Sequence, residues 1–504
     1  MLKALLMFFI GFMLARFYFQ RKKGTATQTP PAVPVKTPAK PAREFPNVPE
    51  PADPFALPVS TVAGVSIIST SAAGKRFASD AVSPWRAGTR RGGMQPGEVI
   101  TVDPKQKFQT ILGFGGAFTD AACYMFNQLG ATSRAQLFNE LFHPSQLGLN
   151  THRLCIGSSD YATKMYSFDE GEPDPELKRF SIDHDRQWNL PMMREAVAVN
   201  PDIFMFASAW SPPGWMKPNN SMLGGNMRRS SFEPYAQYMV RFVTEYAKEG
   251  INVQAVTVNN EVDTDQDSRM PACLWPQEYE VDFVRYNLGP AFEQAGLKTK
   301  IWLIDHNYNL YGRAIASFEE PGLLKYCNAV AWHGYVGPAT NIGKVKAAFP
   351  QVDMYWTEGG PDITDPNYAR DWAKWGRTFT TNLRNWCRSI TVWNLALDEN
   401  GHPNIGPFPC GGLVTINSQT EEVSYSGQFW ALGQFSKYVK RDATRIESSG
   451  NFDGLDHVAF VNPDGSHVLV VTNSGATTRD ITISVGGNFA EVRLDADSVT
   501  TLIW

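Results

Sequence analysis

Two glutamates, each at the end of an apolar run, frame the chemistry of this chain. Val256-Thr257-Val258-Asn259-Asn260-Glu261 has the pattern of a buried strand ending on Asn-Glu. About a hundred positions later Met354-Tyr355-Trp356-Thr357-Glu358-Gly359-Gly360 is a second apolar strand ending on a carboxylate. A charge left at the end of an apolar strand is costly unless something there uses it. Two such ends in one sheet can place two carboxyls across a single pocket. That is the arrangement glycoside hydrolysis needs: one carboxyl protonates the leaving oxygen while the other attacks or stabilises the sugar cation. On this reading Glu261 is the general acid/base and Glu358 the nucleophile. Asn260 offers its side-chain amide to a sugar hydroxyl. A retaining enzyme holds the carboxyls about 5–5.5 Å apart and an inverting one roughly 6.5–9.5 Å apart. Burial and the neighbouring negative charge are expected to raise the pKa of the acid. The plainer alternative makes each glutamate a salt-bridged structural residue.

The elements that position these residues recur at roughly forty-residue intervals, the spacing of strand-helix units. Apolar, β-rich segments occur at Ile111–Gly116, Leu149–Leu154, Ile203–Ser208, Val256–Glu261, Ile301–His306, Ala329–His333, Met354–Gly360 and Ile390–Asn394. Their hydrophobicity is continuous rather than alternating, which marks parallel strands covered on both faces. Helical patterns lie between them. The clearest is Pro234–Lys248, with Tyr235, Tyr238, Met239, Phe242, Val243 and Tyr246 in one stripe, Ser230 or Ser231 as a cap and Gly250 just past the end. Eight strands alternating with helices predict a TIM barrel, an α/β fold whose chemistry gathers at the carboxyl ends of the strands. Those ends carry Arg153, Trp210, Glu261, His306, His333, Glu358 and Asn394. From about Glu421 the pattern becomes short and alternating, with Asn462-Pro463-Asp464-Gly465 as a turn. This predicts an antiparallel β-sandwich, joined by an edge strand at Val65–Ser69. The expected domains are residues 106–420 for the barrel, and 63–105 with 421–504 for a sandwich built from both chain ends.

The amino terminus reads differently. Lys3 precedes an apolar run, Ala4–Ala15, and Arg21-Lys22-Lys23 follow. The run is shorter than an ordinary spanning helix and suits a signal anchor or signal peptide over residues 1–23. It predicts association with a membrane or export, an extracytoplasmic location whose sidedness the flanking charges do not fix. Residues 24–62 hold ten prolines between Pro30 and Pro58 and predict an extended tether. Net charge of −4 and a pI near 6.1 leave no basic footprint, so nucleic acid is excluded as a partner. The eight histidines form no H-x-H or H-E-x-x-H pair, so neither a metal site nor any other cofactor is expected. Six scattered cysteines without a C-x-x-C pair are compatible with buried thiols or with disulfides.

Several motifs carry a family resemblance. Gly113-Phe114-Gly115-Gly116-Ala117-Phe118-Thr119-Asp120-Ala121-Ala122 resembles the first-strand signature of glycoside hydrolase family 30, the group containing glucosylceramidases. Similar to that family are also Ala209-Trp210-Ser211-Pro212-Pro213-Gly214-Trp215-Met216-Lys217, Asn260-Glu261, Thr357-Glu358, Trp393–Asp398 and Gly433–Lys437. The resemblance spans about Val65 to Trp504. It implies a retaining β-glycosidase, with Glu261 as acid/base and Glu358 as nucleophile. It also implies that Asp120, Trp210, Asn260 and Trp393 bind the glycone, Asp120 by accepting from two hydroxyls and Trp393 by presenting a ring face. Asn394, beside Trp393, joins the substrate-binding set. Arg153 is expected to hold Glu358 ionised, with a structural ion pair as the alternative. His333 is expected to bond Glu358 or the substrate, with a structural histidine as the alternative. Asn-Glu-Val-Asp stands where glucosylceramidases commonly carry Asn-Glu-Pro, so the loop after Glu261 departs from the pattern. The family's substrates include glucosylceramide, β-glucosides, β-1,6-glucans and xylose-containing polymers. A glucosylceramidase-type β-glucosidase is the expectation, an endo-β-1,6-glucanase or β-xylosidase the alternative, and a non-catalytic carbohydrate-binding protein the rival of another class.

Overall fold

Eight parallel strands close into a barrel in the computed structural model, which describes residues 64–87 and 98–504. They are β1 (Gly113–Phe118), β2 (Thr151–Cys155), β3 (Phe204–Ser208), β4 (Val253–Thr257), β5 (Lys300–Asn307), β6 (Cys327–His333), β7 (Asp353–Glu358) and β8 (Cys387–Val392). Each pairs with its neighbours in sequence, and β8 closes on β1 from Ser389↔Gly113 to Val392↔Gly116. The glycines of β1 are steric requirements. A Cβ on Gly115 would lie 2.0 Å from the Thr151 carbonyl oxygen of β2.

The helices between the strands bury one face each. Helix Phe232–Lys248 lays Tyr235, Tyr238, Met239, Phe242, Val243 and Tyr246 against the barrel, as its stripe requires. Gly250 follows it at φ +81°, whereas Ser231, at the cap position, makes no side-chain capping bond. Inside the barrel an aromatic plug replaces the usual aliphatic layers. Trp302 of β5 stacks on Tyr355 of β7 at 4.1 Å between ring centroids and meets Phe206 of β3 at 4.9 Å. This plug fills the barrel with apolar volume and leaves the polar strand ends gathered at its mouth.

The alternation of β5 breaks just above the plug. Ile304 and Asp305 adopt φ values of +72° and +44°, and the register with β6 shifts between Ile304 and His306. This is a bulge: one extra residue reverses which side chains face inward. Leu303 and Ile304 both join the outer core, and Asp305 turns into the barrel. The freed amide of Ile304 donates to Glu280 Oε1 at 2.8 Å, and Arg313 holds Glu280 in turn.

The sandwich is built from both ends of the chain. Strand Gly64–Ser71 pairs antiparallel with Ser498–Ile503, from Ser66↔Ile503 to Ser71↔Ser498. The long strand Glu98–Thr110 pairs antiparallel with Thr444–Ser449 and parallel with Arg479–Val485. Between the layers lie Val65, Ile100, Val102, Leu469, Ile483 and Leu502. The expected edge strand at Val65–Ser69 has, among the described residues, only the two-residue strands Ala78–Ser79 and Ser83–Pro84 beyond it, and it is buried on both faces, with helix Gly427–Ser436 packed against it. Sandwich and barrel meet closely at Gly376, in helix Trp372–Arg384, where a Cβ would lie 2.5 Å from Thr472 Oγ1.

All six cysteines are free, five of them buried. Among the described residues no helix is long and apolar enough to cross a membrane. The expected signal segment (1–23) and the tether (24–62) lie outside the described residues.

Candidate active site

Arg153 is the hub of the barrel mouth. Its guanidinium, on β2, is fully buried and donates to four other elements. Nε reaches Ser208 Oγ of β3 at 3.2 Å, and Nη2 reaches Asp305 Oδ2 of β5 and Asn260 Oδ1, both at 2.7 Å. Nη1 donates to Glu358 Oε2 at the end of β7. Trp210 and Trp393 stack on each other at 5.1 Å, with the guanidinium 4.6 Å from the Trp210 ring centroid. Burying an unpaired cation here would be prohibitive, so the surrounding carboxylates are a condition of the fold as well as of any chemistry.

Asp305 is the principal counter-charge. Its Oδ2 also accepts from Ser208 Oγ at 2.6 Å and Thr257 Oγ1 at 2.9 Å, and its Oδ1 from Thr357 Oγ1 at 2.8 Å. His333 Nε2 lies 3.0 Å from Oδ1. Burial alone would push the Asp305 carboxyl up, but Arg153 and His333 hold it well below the usual carboxylate range. The other nitrogen of His333, Nδ1, lies 3.3 Å from Glu261 Oε1. His333 therefore bridges Glu261 and Asp305, and its Nε2 is 3.8 Å from Glu358.

Glu261 is not the last residue of its strand. β4 ends at Thr257, and Glu261 lies four residues beyond, at φ +54°. The left-handed backbone turns its side chain back over the mouth. A carboxylate oxygen of Glu261, one of Glu358 and a ring nitrogen of His333 all lie within 4.8 Å of one another. Glu358 Oε1 accepts from the Tyr335 hydroxyl at 3.0 Å. Tyr335 is held by its loop, whose amides at Tyr335 and Val336 both donate to Asn307 Oδ1 at 3.0 Å.

The expected rise in the pKa of Glu261 is reversed. Burial does push it up, but His306 and His333 outweigh burial and hold the carboxyl below its usual range. His306 Nε2 lies 3.1 Å from Glu261 Oε1, and His306 Nδ1 contacts Asp263. Against the opposing effect of burial, these two carboxylates push the imidazole up to about 10. Gln266 Nε2 donates to Glu261 Oε2.

Two of the expected substrate-binding residues are not presented to a ligand. Asp120 Oδ2 accepts from the Thr163 amide at 2.7 Å and hydroxyl at 2.8 Å. Its Oδ1 takes Trp188 Nε1 at 2.7 Å and faces His184 Nε2 at 2.8 Å. With these four partners the carboxylate is engaged by its own surroundings and is almost fully buried. A further carboxyl that feels the charge of both glutamates is Asp160, just beyond β2. Burial, and then the charges of Glu358 and Glu261, push it well above the usual range. Asn394 is fully buried, and its Oδ1 accepts from Thr119 Oγ1 at 2.9 Å. It supports the cap of helix Asp120–Gln128, where Thr119 Oγ1 accepts from the Ala122 amide. Asn260 lies in the cluster, its amide oriented by Arg153.

Sequence reasoning missed Asp305, Tyr335, Asp160 and the pairing of His306 with Asp263. His306 was visible as a strand end. The others follow from a bulge, a loop two residues past His333 and contacts remote in sequence.

Comparison with known proteins agrees with this architecture. Residues 111–439 match the glycosyl hydrolase family 30 TIM-barrel domain, and residues 442–502 match the glycosyl hydrolase family 30 beta sandwich domain. An endo-1,6-beta-D-glucanase of Neurospora crassa is 32% identical over 426 residues, spanning 80% of this chain and 87% of that protein. Putative glucosylceramidase 3 of Caenorhabditis elegans is 31% identical over 431 residues, spanning 80% of this chain and 82% of that protein. The crystal structure of SrfJ from Salmonella typhimurium superposes with a TM-score of 0.83 at 28% identity, covering 87% of this chain and 99% of that one.

Proposed function

The chain belongs to glycosyl hydrolase family 30, and from that premise we propose that it is a retaining β-glucosidase-type hydrolase with Glu358 as nucleophile and Glu261 as acid/base. The observation that carries the reading is the approach of the two carboxylates to within 4.8 Å. So close an approach of one oxygen from each supports direct attack on the sugar; an inverting enzyme holds its carboxyl groups roughly 6.5–9.5 Å apart to admit a water. Arg153 and Tyr335 occupy one oxygen each of Glu358 and hold it aimed at the anomeric carbon. Glu358 attacks as the leaving oxygen takes a proton from Glu261. Water then releases the sugar as its proton returns to Glu261, and two inversions give net retention. The amide nitrogen of Asn260 and the carboxyl of Asp160 bind glycone hydroxyls, and the Trp210–Trp393 stack forms the floor.

For the substrate we take a β-1,6-linked glucan first, in line with the Neurospora relative. Glucosylceramide is the second reading, supported by the nematode relative. An extracytoplasmic, membrane-associated location rests on the Lys3–Ala15 segment. The test is hydrolysis of aryl β-glucosides, a β-1,6-glucan and glucosylceramide by the full chain beside Glu358→Gln. We expect products of retained configuration and a loss of about 10³-fold or more in the variant. Activity surviving Glu358→Gln would refute the mechanism. The preferred polymer or lipid decides between the substrates, and fractionation of cells checks the location.

A further inference from the structure

The loop after Glu261 and the end of β5 bring together a pair of side chains that the two-carboxylate mechanism does not use. His306 Nδ1 meets Asp263, while its Nε2 lies 3.1 Å from Glu261 Oε1. Resting on the assignment of Glu261 as the acid/base, we propose that Asp263 and His306 form a proton-holding dyad for that carboxyl. His306 is the residue that positions and reloads Glu261, and Asp263 is its link to solvent.

The bonding pattern of Glu261 leads to this. Its Oε1 faces two imidazole nitrogens, one from His306 and one from His333, and its Oε2 accepts from the Gln266 amide. A carboxyl so surrounded by donors is stabilised as the anion. An acid catalyst must nevertheless deliver a proton, so that proton has to be stored next to it. His306 is built to store it, because Asp263 takes the Nδ1 side and orients Nε2 towards Glu261. Asp263 is the open end of the chain of contacts: its side chain is 34% exposed, whereas those of His306 and Glu261 are 9% and 12%. A substrate seated over Glu261 would close its direct contact with water, whereas Asp263 lies on the open side.

The groups facing His306 are few. Glu261 and Asp263 come from the loop after β4. His333 comes from β6, with ring centroids 5.6 Å apart, and Arg313, on helix Tyr311–Glu319, acts on Asp263. The two carboxylates dominate, so the imidazole keeps its proton up to about pH 10 while Glu261 stays ionised. The pair therefore carries one transferable proton across the neutral range.

The step balances within the protein. As a Glu358 oxygen bonds the anomeric carbon, the bond to the leaving oxygen breaks with its electron pair. That oxygen takes the proton passed from His306 Nε2 through Glu261. In the second step a water oxygen bonds the same carbon, the Glu358 bond breaks back to the carboxylate, and the water's proton returns through Glu261 to Nε2.

The test measures kcat/KM against pH for His306→Asn and Asp263→Asn in the full chain. Phenyl β-glucoside, whose leaving group needs a proton, is compared with 2,4-dinitrophenyl β-glucoside, whose leaving group does not. In His306→Asn the alkaline limb on the phenyl substrate should move acidward by about three pH units or more, from near 10 to near neutrality. Activity at pH 8 should fall by about tenfold or more on that substrate and by less than about threefold on the dinitrophenyl one. Asp263→Asn, at a partly open site, should shift the limb in the same direction and carries the test if His306→Asn fails to fold. Equal losses on both substrates with an unmoved limb mean that the pair only stiffens the loop, and overturn the proposal. Glu261→Ala with azide separates the two assignments. Formation of β-glucosyl azide together with an unmoved limb refutes the dyad alone, whereas its absence refutes Glu261 as the acid/base, and the dyad with it.

Discussion

Replacing Arg153 by methionine keeps most of the side-chain volume and removes the guanidinium that Asp305 and Glu358 share. The loss is concentrated, because the guanidinium is fully buried and bonds Ser208, Asp305, Asn260 and Glu358. Removing one partner of a buried ion pair costs about 3–5 kcal/mol, chiefly because the remaining charge is stranded. We expect a stability loss of that size at pH 7. Glu358 would keep only the Tyr335 hydroxyl, so kcat should fall by about 10²–10³-fold. The pH dependence identifies the cause. In the natural protein Asp305 is depressed below its unfolded pKa, so its contribution is fully present above that unfolded value and is lost only as pH falls through the folded one. Without Arg153, Asp305 keeps His333 and its hydroxyl donors but loses its largest counter-charge, so its pKa rises and the penalty shrinks as acidification protonates it. Urea unfolding of both proteins at pH 7 and pH 5 measures this. A penalty below about 1 kcal/mol, or one that does not narrow towards pH 5, would falsify the view of Arg153 as the charge hub.

Three further substitutions follow from the same geometry. Tyr335→Phe removes the 3.0 Å donor to Glu358 Oε1 and nothing else in the cluster. A hydrogen bond to a charged group contributes about 1.5–3 kcal/mol, so steady-state kinetics should show kcat lower by about ten- to a hundredfold with KM little changed. Asp120→Asn and Asp160→Asn separate structure from binding. The first should lower the melting temperature while leaving the affinity for gluconolactone within about threefold. The second should weaken that affinity by about tenfold or more. A reversed order would return Asp120 to the glycone site.

What the sequence determined on its own was whatever has a local physical cause. Continuous apolar runs at Ile203–Ser208 and Ala329–His333 can be satisfied only by strands covered on both faces. The alternation after Glu421 predicts antiparallel strands, which the sandwich supplies, although His467–Asn473 and Ser498–Ile503 are covered on both faces. The barrel, the sandwich and the candidacy of Glu261 and Glu358 followed from that one-dimensional pattern and the cost of a charge at the end of an apolar strand. Tertiary structure decided what depends on remote partners. Asp305 faces inward only because a bulge at Ile304–Asp305 reverses the alternation. Asp120 is withdrawn from substrate only because Thr163, His184 and Trp188 converge on it. The proton of Glu261 is likewise set elsewhere, by His306 and His333 on two other strands. Hydrophobic patterning acts through each residue's own contact with water, so it can be read along the chain. Electrostatic balance is a sum over neighbours in space, and folding alone supplies them.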